Sequence, residues 1–209
     1  MLDLSRAMLT KFRSVVAGSN LSKADLVEGD AVRPPFRAGS FHRVALLGNV
    51  LGFAESDAPA LLERARELVD PGGVLLVECS PGPGERCNYL HRLPPGAIAR
   101  LFAAPVRAVL PRVTREGFGV VQGRPPEGHH FRRIAAREIA ERLKTTGFEI
   151  RETMAVAPCF GNDASRLSDV QSSPTAWQHV LEIEEMVGHD PLRWVDAAAI
   201  LVAAERRSV

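Results

Sequence analysis

Four polar features are placed where they could hold a ligand: Asp3, Asp30, the pair Gly48-Asn49, and Glu78. Each lies at the end of a stretch that reads as a strand, and ligands of open α/β sheets collect where parallel strands end. Each also has a plainer role. Asp3 could be a helix-flanking acid that favours the positive end of the following helix dipole. Asp30 could be a turn residue, since Gly-Asp is a common turn pair. Gly48-Asn49 could be a strand-ending turn, and Glu78 either a satisfied strand-end acid or a group facing a substrate. His129-His130 suggest a base or a metal pair, but adjacent strand residues point to opposite faces and would not chelate one ion together. Neither histidine has Cys, Asp or Glu at ligand spacing, so no metal is expected.

These residues depend on elements that alternate along the chain. After a strand stub at Met1–Leu4, Ser5 is a good N-cap for a helix to about Ala17, with Met8, Leu9, Phe12 and Val15/Val16 at helical spacing. Met8 reads as core. Asp25–Asp30 fits a short strand, and Pro34-Pro35-Phe36 a loop. His42–Leu47, apolar apart from its first two residues, reads as a buried parallel strand and ends in Gly48-Asn49. Ser56 or Asp57 should cap a helix that stops at a turn, Asp70-Pro71-Gly72-Gly73, before a second buried strand at Val74–Glu78. From about Glu85 to His130 the rhythm breaks into a Pro- and Gly-rich stretch. It resumes with a helix over Ala136–Thr146, ended by Gly147, and a strand over Phe148–Val156. A polar loop over Ser168–Thr175, a helix over about Ala176–Val187 and a final apolar strand over Ala197–Ala204 complete the chain. Strands and helices alternating in this way predict an α/β fold with a mostly parallel sheet.

Composition excludes several classes. At 209 residues the chain is sized for one domain, and its 45% hydrophobic and 24% charged content is that of a globular protein. A net charge of +1 gives no electrostatic footprint for nucleic acid. The basic residues from Arg132 to Lys144 are interleaved with Glu138 and Glu141, as on a solvated helix face. Cys79, Cys87 and Cys159 are an odd count without metal spacing, which fits a reduced, cytoplasmic setting. No apolar run approaches the roughly 20 residues of a membrane span, and the N-terminus lacks a signal-peptide layout.

Taken in order, four segments resemble the class I S-adenosylmethionine-dependent methyltransferase family. Asp3-Leu4-Ser5 with Ala7-Met8-Leu9 is similar to the end of that family's second strand and the helix after it. Gly29-Asp30-Ala31 with Pro35-Phe36 is similar to the end of the third strand. Ser40–Val44 through Leu47-Gly48-Asn49 resembles the fourth, and Leu68–Glu78, an "LxPGGxLLxE" pattern, resembles the turn and fifth strand. Phe148-Glu149 and the terminal AAAILVAAERR fit a closing antiparallel pair, with the last strand inserted beside the fifth. The fold implied is Rossmann-like, a mostly parallel sheet with an antiparallel last strand, N-terminally incomplete. The chain would be one domain over 1–209, with an insertion at about 85–130 covering the substrate.

The resemblance implies S-adenosylmethionine as cofactor. The Asp3 carboxylate would accept bonds from the two ribose hydroxyls, with Leu4 beside it. Asp30 and the Ala31 amide would read the adenine edge, and Leu47, Gly48 and Asn49 would border the methionine portion and the substrate. The sulfonium already carries the activation, so orientation and exclusion of water dominate, and no catalytic residue is singled out. Gly48-Asn49-Val50-Leu51 in place of an Asn-Pro-Pro-Tyr motif favours a small-molecule acceptor over nucleic acid. Self-association into a homo-oligomer is left open.

Two departures stand out. His42 occupies a position where many relatives carry Asp. The family's first strand and glycine-rich loop should precede Asp3 by roughly 20 residues, in the general dinucleotide-type layout, and neither Gly82/Gly84 nor Gly117/Gly119 replaces them. An upstream start, a fragment, or a remodelled relative would each account for this. Without that strand the second and fourth strands of the family pattern would lack a shared neighbour, and unpaired central edges are costly. Two other classes compete with a methyltransferase. One is a non-catalytic, methyltransferase-like binding or scaffolding protein. The other is a nicotinamide-dependent Rossmann oxidoreductase, for which the single tyrosine, Tyr89, has no Tyr-x-x-x-Lys partner.

Overall fold

A computed structural model describes residues 1–80, 97–109, 134–156, 170–190 and 199–207. Leu2–Asp3 form β1 and Val27–Glu28 form β2, joined by α1 (Arg6–Val15). The two strands are parallel, with Leu2 opposite Val27 and Asp3 opposite Glu28. Ser5 caps α1 as its sequence predicts, its Oγ accepting from the Met8 amide at 3.3 Å. β2 is shorter than the expected Asp25–Asp30 because β1 offers it so little backbone to pair with. α1 is turned so that Leu9 and Val16 are buried and Phe12 is half-buried. That rotation leaves Met8, expected in the core, 51% exposed.

The main sheet has the order β3-β4-β6-β5. β3 (Phe41–Leu46) is followed by α2 (Val50–Ala54), α3 (Ala58–Leu68) and β4 (Val69–Cys79), which is parallel to β3. Beyond α4 (Ala97–Phe102) come α5 (Ala136–Thr145), β5 (Phe148–Val156), α6 (Pro174–Gly188) and β6 (Ala199–Arg206). β6 lies antiparallel between β4 and β5, as the resemblance implies for the closing pair. Three local expectations need correction. Asp57 holds the N-cap position of α3 without a side-chain cap bond, because the 3₁₀ turn Glu55–Asp57 leads into the helix with nearly helical backbone. α6 starts at Pro174 rather than Ala176. Ser173 caps it, and a proline in the first turn needs no amide partner. Val170, expected in a polar loop, is helical and fully buried.

A fourth correction concerns Asp70–Gly73, which is a bulge inside β4 and not a turn before it. Phe41 pairs with Val69 and Arg43 with Val74, so four residues of β4 face His42 alone. Pro71 is tolerated because a bulge breaks the ladder where its missing amide would be needed. Apolar side chains of β4, β5, β6, α3 and α5 form the main core, including Leu62, Leu75, Ile139 and Phe148. A second cluster joins α4 to α6 through Phe102, Val180 and Ile183, with Trp177 packed against it. Among the described residues no helix is long and apolar enough to cross a membrane.

The two sheets are separate. Among the described strands β1 pairs only with β2, and β3 only with β4 at the edge of the larger sheet. Phe36, after β2, meets Phe41 at the start of β3 edge to face, with ring centroids 5.1 Å apart, and so links the two units.

Candidate functional site

The end of β3 is built from two consecutive residues in the left-handed region, Gly48 (φ 76°) and Asn49 (φ 58°). This reversal turns the chain from strand into α2, and Asn49 is one of the side chains that tolerates it. Two cross-links fasten it to the end of β4. The Gly48 amide donates to Glu78 Oε2 at 3.0 Å, and the Ser80 amide donates to Asn49 Oδ1 at 3.2 Å. Asn49 is buried, and its Nδ2 has no partner among the described residues. Glu78 is therefore at least in part a satisfied strand-end acid.

At the other unit, Asp3 is half-buried and its Oδ1 accepts from the Ser5 amide at 2.7 Å. The Asp3 carbonyl accepts from Gly29, which brings the ends of β1 and β2 together. Exposed Asp30 folds its Oδ1 onto the Val32 amide at 2.8 Å, an Asx turn. Both acids thus perform the plain local role that their sequence context suggested. An ionised carboxylate has about four acceptor sites, so one amide leaves each able to bind further donors.

A cavity of about 600 Å³ lies between the two units. Asp3, Ala31 and Leu47 line it; Leu4, Asp30, Gly48 and Asn49 do not. The cavity follows β3 for its whole length, from Phe41 to Leu47, with Leu61, Ala65 and Leu68 of α3 on one wall. Sequence reasoning missed Arg43 and Phe12, which also line it. Arg43 was legible as the one permanent charge inside an otherwise apolar strand, and Phe12 as the aromatic in the α1 repeat.

His42, the departure from the resemblance pattern, pairs its Nδ1 with Asp70 Oδ1 at 3.1 Å across the bulge. It is remote from the Gly48-Asn49 end and supports the strand start. No group of three or more His, Cys, Asp or Glu side chains is arranged for a metal among the described residues. His129-His130, Cys87, Cys159, Tyr89, Trp194 and most of the 85–130 segment lie outside them.

Cys79 is fully buried beside this site, and burial, followed by the charges of Glu78 and Glu138, pushes its thiol up to about 12. The native thiol is therefore protonated and unreactive at neutral pH. The folded value lies above the unfolded one, near 9.0. The stability this contributes is complete below 9 and is lost as pH rises from 9 towards 12. Alkylation of Cys79 at pH 8, followed by peptide mapping, should proceed only as fast as the protein unfolds. Labelling at the rate of a free peptide thiol would contradict this placement.

Residues 1–73 match the family model of the methyltransferase domain. No curated protein matches the chain in sequence. Among solved structures the [4+2]-cyclase SpnF is similar at 15% identity and TM-score 0.54, covering 100% of this chain and 66% of its own. A SAM-dependent methyltransferase from Methanosarcina mazei is similar at 11% identity and TM-score 0.54, covering 100% of this chain and 81% of its own. A methyltransferase in complex with the Haloferax volcanii Trm112 activator shows 13% identity, TM-score 0.53 and coverage of 99% and 71%. At these identities the likeness is one of fold, and the chain spans 66% of the length of SpnF.

Proposed function

We propose that the chain is a class I S-adenosylmethionine-dependent methyltransferase that binds S-adenosylmethionine and serves methyl transfer to a small-molecule acceptor. The methyltransferase-domain match over residues 1–73 and the shared fold support it. One observation carries this reading: Asp3, Ala31 and Leu47, each at the carboxyl end of a different parallel strand, line one cavity. That is the end at which open α/β sheets take their ligands. Asp3 would hold the ribose hydroxyls beside Leu4. Asp30 and the Ala31 amide would face the adenine, and Leu47, Gly48 and Asn49 the methionine portion. The orphaned, buried Asn49 Nδ2 fits a site that expects a further acceptor.

When bound, the cofactor supplies a methyl group already activated on a sulfonium. The chain's own residues then have three tasks: to orient, to hold charge, and to keep water out. Gly48 and Asn49, locked to Glu78 and Ser80, give the β3 end one fixed geometry. The net charge of +1 and the Gly48–Leu51 sequence support a small acceptor over a nucleic acid. The 85–130 segment would cover that acceptor within a single domain. Cys79 is a free buried thiol, which supports a reduced cytoplasmic setting.

Equilibrium dialysis against labelled S-adenosylmethionine and against NADH tests the reading. The sulfonium cofactor should be retained and the nicotinamide not. Removing charge-assisted hydrogen bonds costs about 1.5–3 kcal/mol, so Asp3→Ala should weaken binding roughly 10- to 100-fold. Asp3→Asn keeps an acceptor for the Ser5 amide and separates that loss from fraying of α1. Retention of NADH, or Asp3→Ala binding like the wild type, would sink the proposal.

A further inference from the structure

β3 and β4 run side by side and end at the same level, with Leu46 opposite Val77. Just beyond that pair, each strand end carries a polar side chain that is held by one atom and leaves its other atom unused. Glu78 is half-buried, and its Oε2 accepts from the Gly48 amide at 3.0 Å. Among the described residues Oε1 has no donor, and no cation pairs with the carboxylate. Asn49 is 7% exposed, and its Oδ1 accepts from the Ser80 amide at 3.2 Å. Its Nδ2 is buried without a partner. Both groups are planar, so holding one atom of each also confines the atom that shares its carbon. A half-buried charge and a buried donor without partners are each unfavourable, and native structures seldom keep either without a use.

We propose that Glu78 Oε1 and Asn49 Nδ2 form a two-point clamp for a zwitterionic α-amino-acid group. The carboxylate oxygen requires a donor, and takes a cationic one best, because charge-assisted hydrogen bonds are roughly twice as strong as neutral ones. The amide nitrogen requires an acceptor. An ammonium and a carboxylate on one carbon satisfy both, the ammonium at Glu78 and the carboxylate at Asn49. A neutral amide would leave the charge of Glu78 uncompensated, and a simple amine or a simple acid would meet only one of the two atoms. The clamp rests on the proposed cofactor site at this end of the sheet. There the group is the methionine portion of the cofactor, and Glu78 joins the residues that face it. An amino-acid methyl acceptor would carry the same group, so the two sources need separate probes.

Two ligands that differ at this end test the clamp by calorimetry on the whole chain. S-adenosylhomocysteine carries the amino-acid group, whereas methylthioadenosine has the same nucleoside and thioether sulfur without it. Glu78→Gln keeps an acceptor for the Gly48 amide and removes the charge. Asn49→Asp keeps Oδ1 for Ser80 and the tolerance of a left-handed backbone, and turns the donor into a second acceptor. Each variant should weaken S-adenosylhomocysteine by about tenfold or more. Methylthioadenosine should bind both as it binds the wild type, which also shows that they are folded. If the group belongs to the acceptor instead, both nucleosides are indifferent to the variants. L-alanine, titrated with methylthioadenosine already bound, then loses its affinity in each of them. Equal losses for the two nucleosides would overturn the clamp, since they report a disturbed strand end and not a lost contact. So would variants that change none of the three affinities. If neither nucleoside binds the wild type, the cofactor reading fails by itself. The clamp then stands only if L-alanine binds the wild type and neither variant, and is otherwise overturned.

Discussion

Gly73→Ala should destabilise the protein by about 3 kcal/mol, at the upper end of the range for overpacking a closed site. A Cβ at this position would meet Asp70 Oδ1, the His42 carbonyl oxygen at 2.7 Å and Val69 Cγ1 at 2.8 Å. Asp70 could swing away, but only by giving up its pairing with His42. The His42 carbonyl belongs to β3 and cannot move without shifting that strand. Gly72 is the control. Its Cβ would have nothing within 4 Å, but its φ of 79° lies in the left-handed region, where an alanine costs about 1–2 kcal/mol. Urea unfolding should therefore rank wild type above Gly72→Ala, and Gly72→Ala above Gly73→Ala, with the slope of the transition unchanged. Equal losses would mean that the bulge relaxes and that the contacts at Gly73 do not constrain it.

This bulge shows where the sequence was legible and where it was not. Pro71-Gly72-Gly73 was readable as an interruption, since proline and glycine punctuate regular structure. A punctuation signal alone cannot tell a turn that ends an element from a bulge within one. The difference depends on Val69 pairing with Phe41, a long-range partner that no local pattern contains. The order of the main sheet was legible only through the family resemblance, which implies a last strand inserted beside the fifth. Apolar runs alone mark strands but not their order, and β5 begins after a well-marked helix end at Gly147. Met8 failed as a core residue because helical spacing gives the face of α1 but not its rotation. The face turned inward is set by the little that β1 and β2 offer to pack against. The candidate site residues were placed at strand ends, which local sequence marks well. Their separation by a cavity follows from the unpaired edges of β1 and β3, a property of two segments together.

Asn49→Ala should cost about 3 kcal/mol, assembled from two terms that a second variant separates. Alanine at φ 58° pays about 1–2 kcal/mol for the left-handed backbone. It also leaves the Ser80 amide without Asn49 Oδ1, and an unsatisfied donor costs about 1–3 kcal/mol where water cannot replace the partner. Asn49→Gly removes the first term and keeps the second. Its loss should thus be smaller by about 1–2 kcal/mol, with chemical denaturation of the three proteins as the measure. The Gly48 amide remains on Glu78 in both variants, so β3 and β4 stay joined at one point while the second tie is cut. If the glycine variant is as unstable as the alanine one, backbone strain at Asn49 is negligible and the bond to Ser80 alone fixes the turn. If it matches the wild type, the bond contributes nothing, and the asparagine is present only because it tolerates the conformation. The intermediate result is the one expected, because Asn49 both makes the reversal at the end of β3 and ties it to the strand beside it.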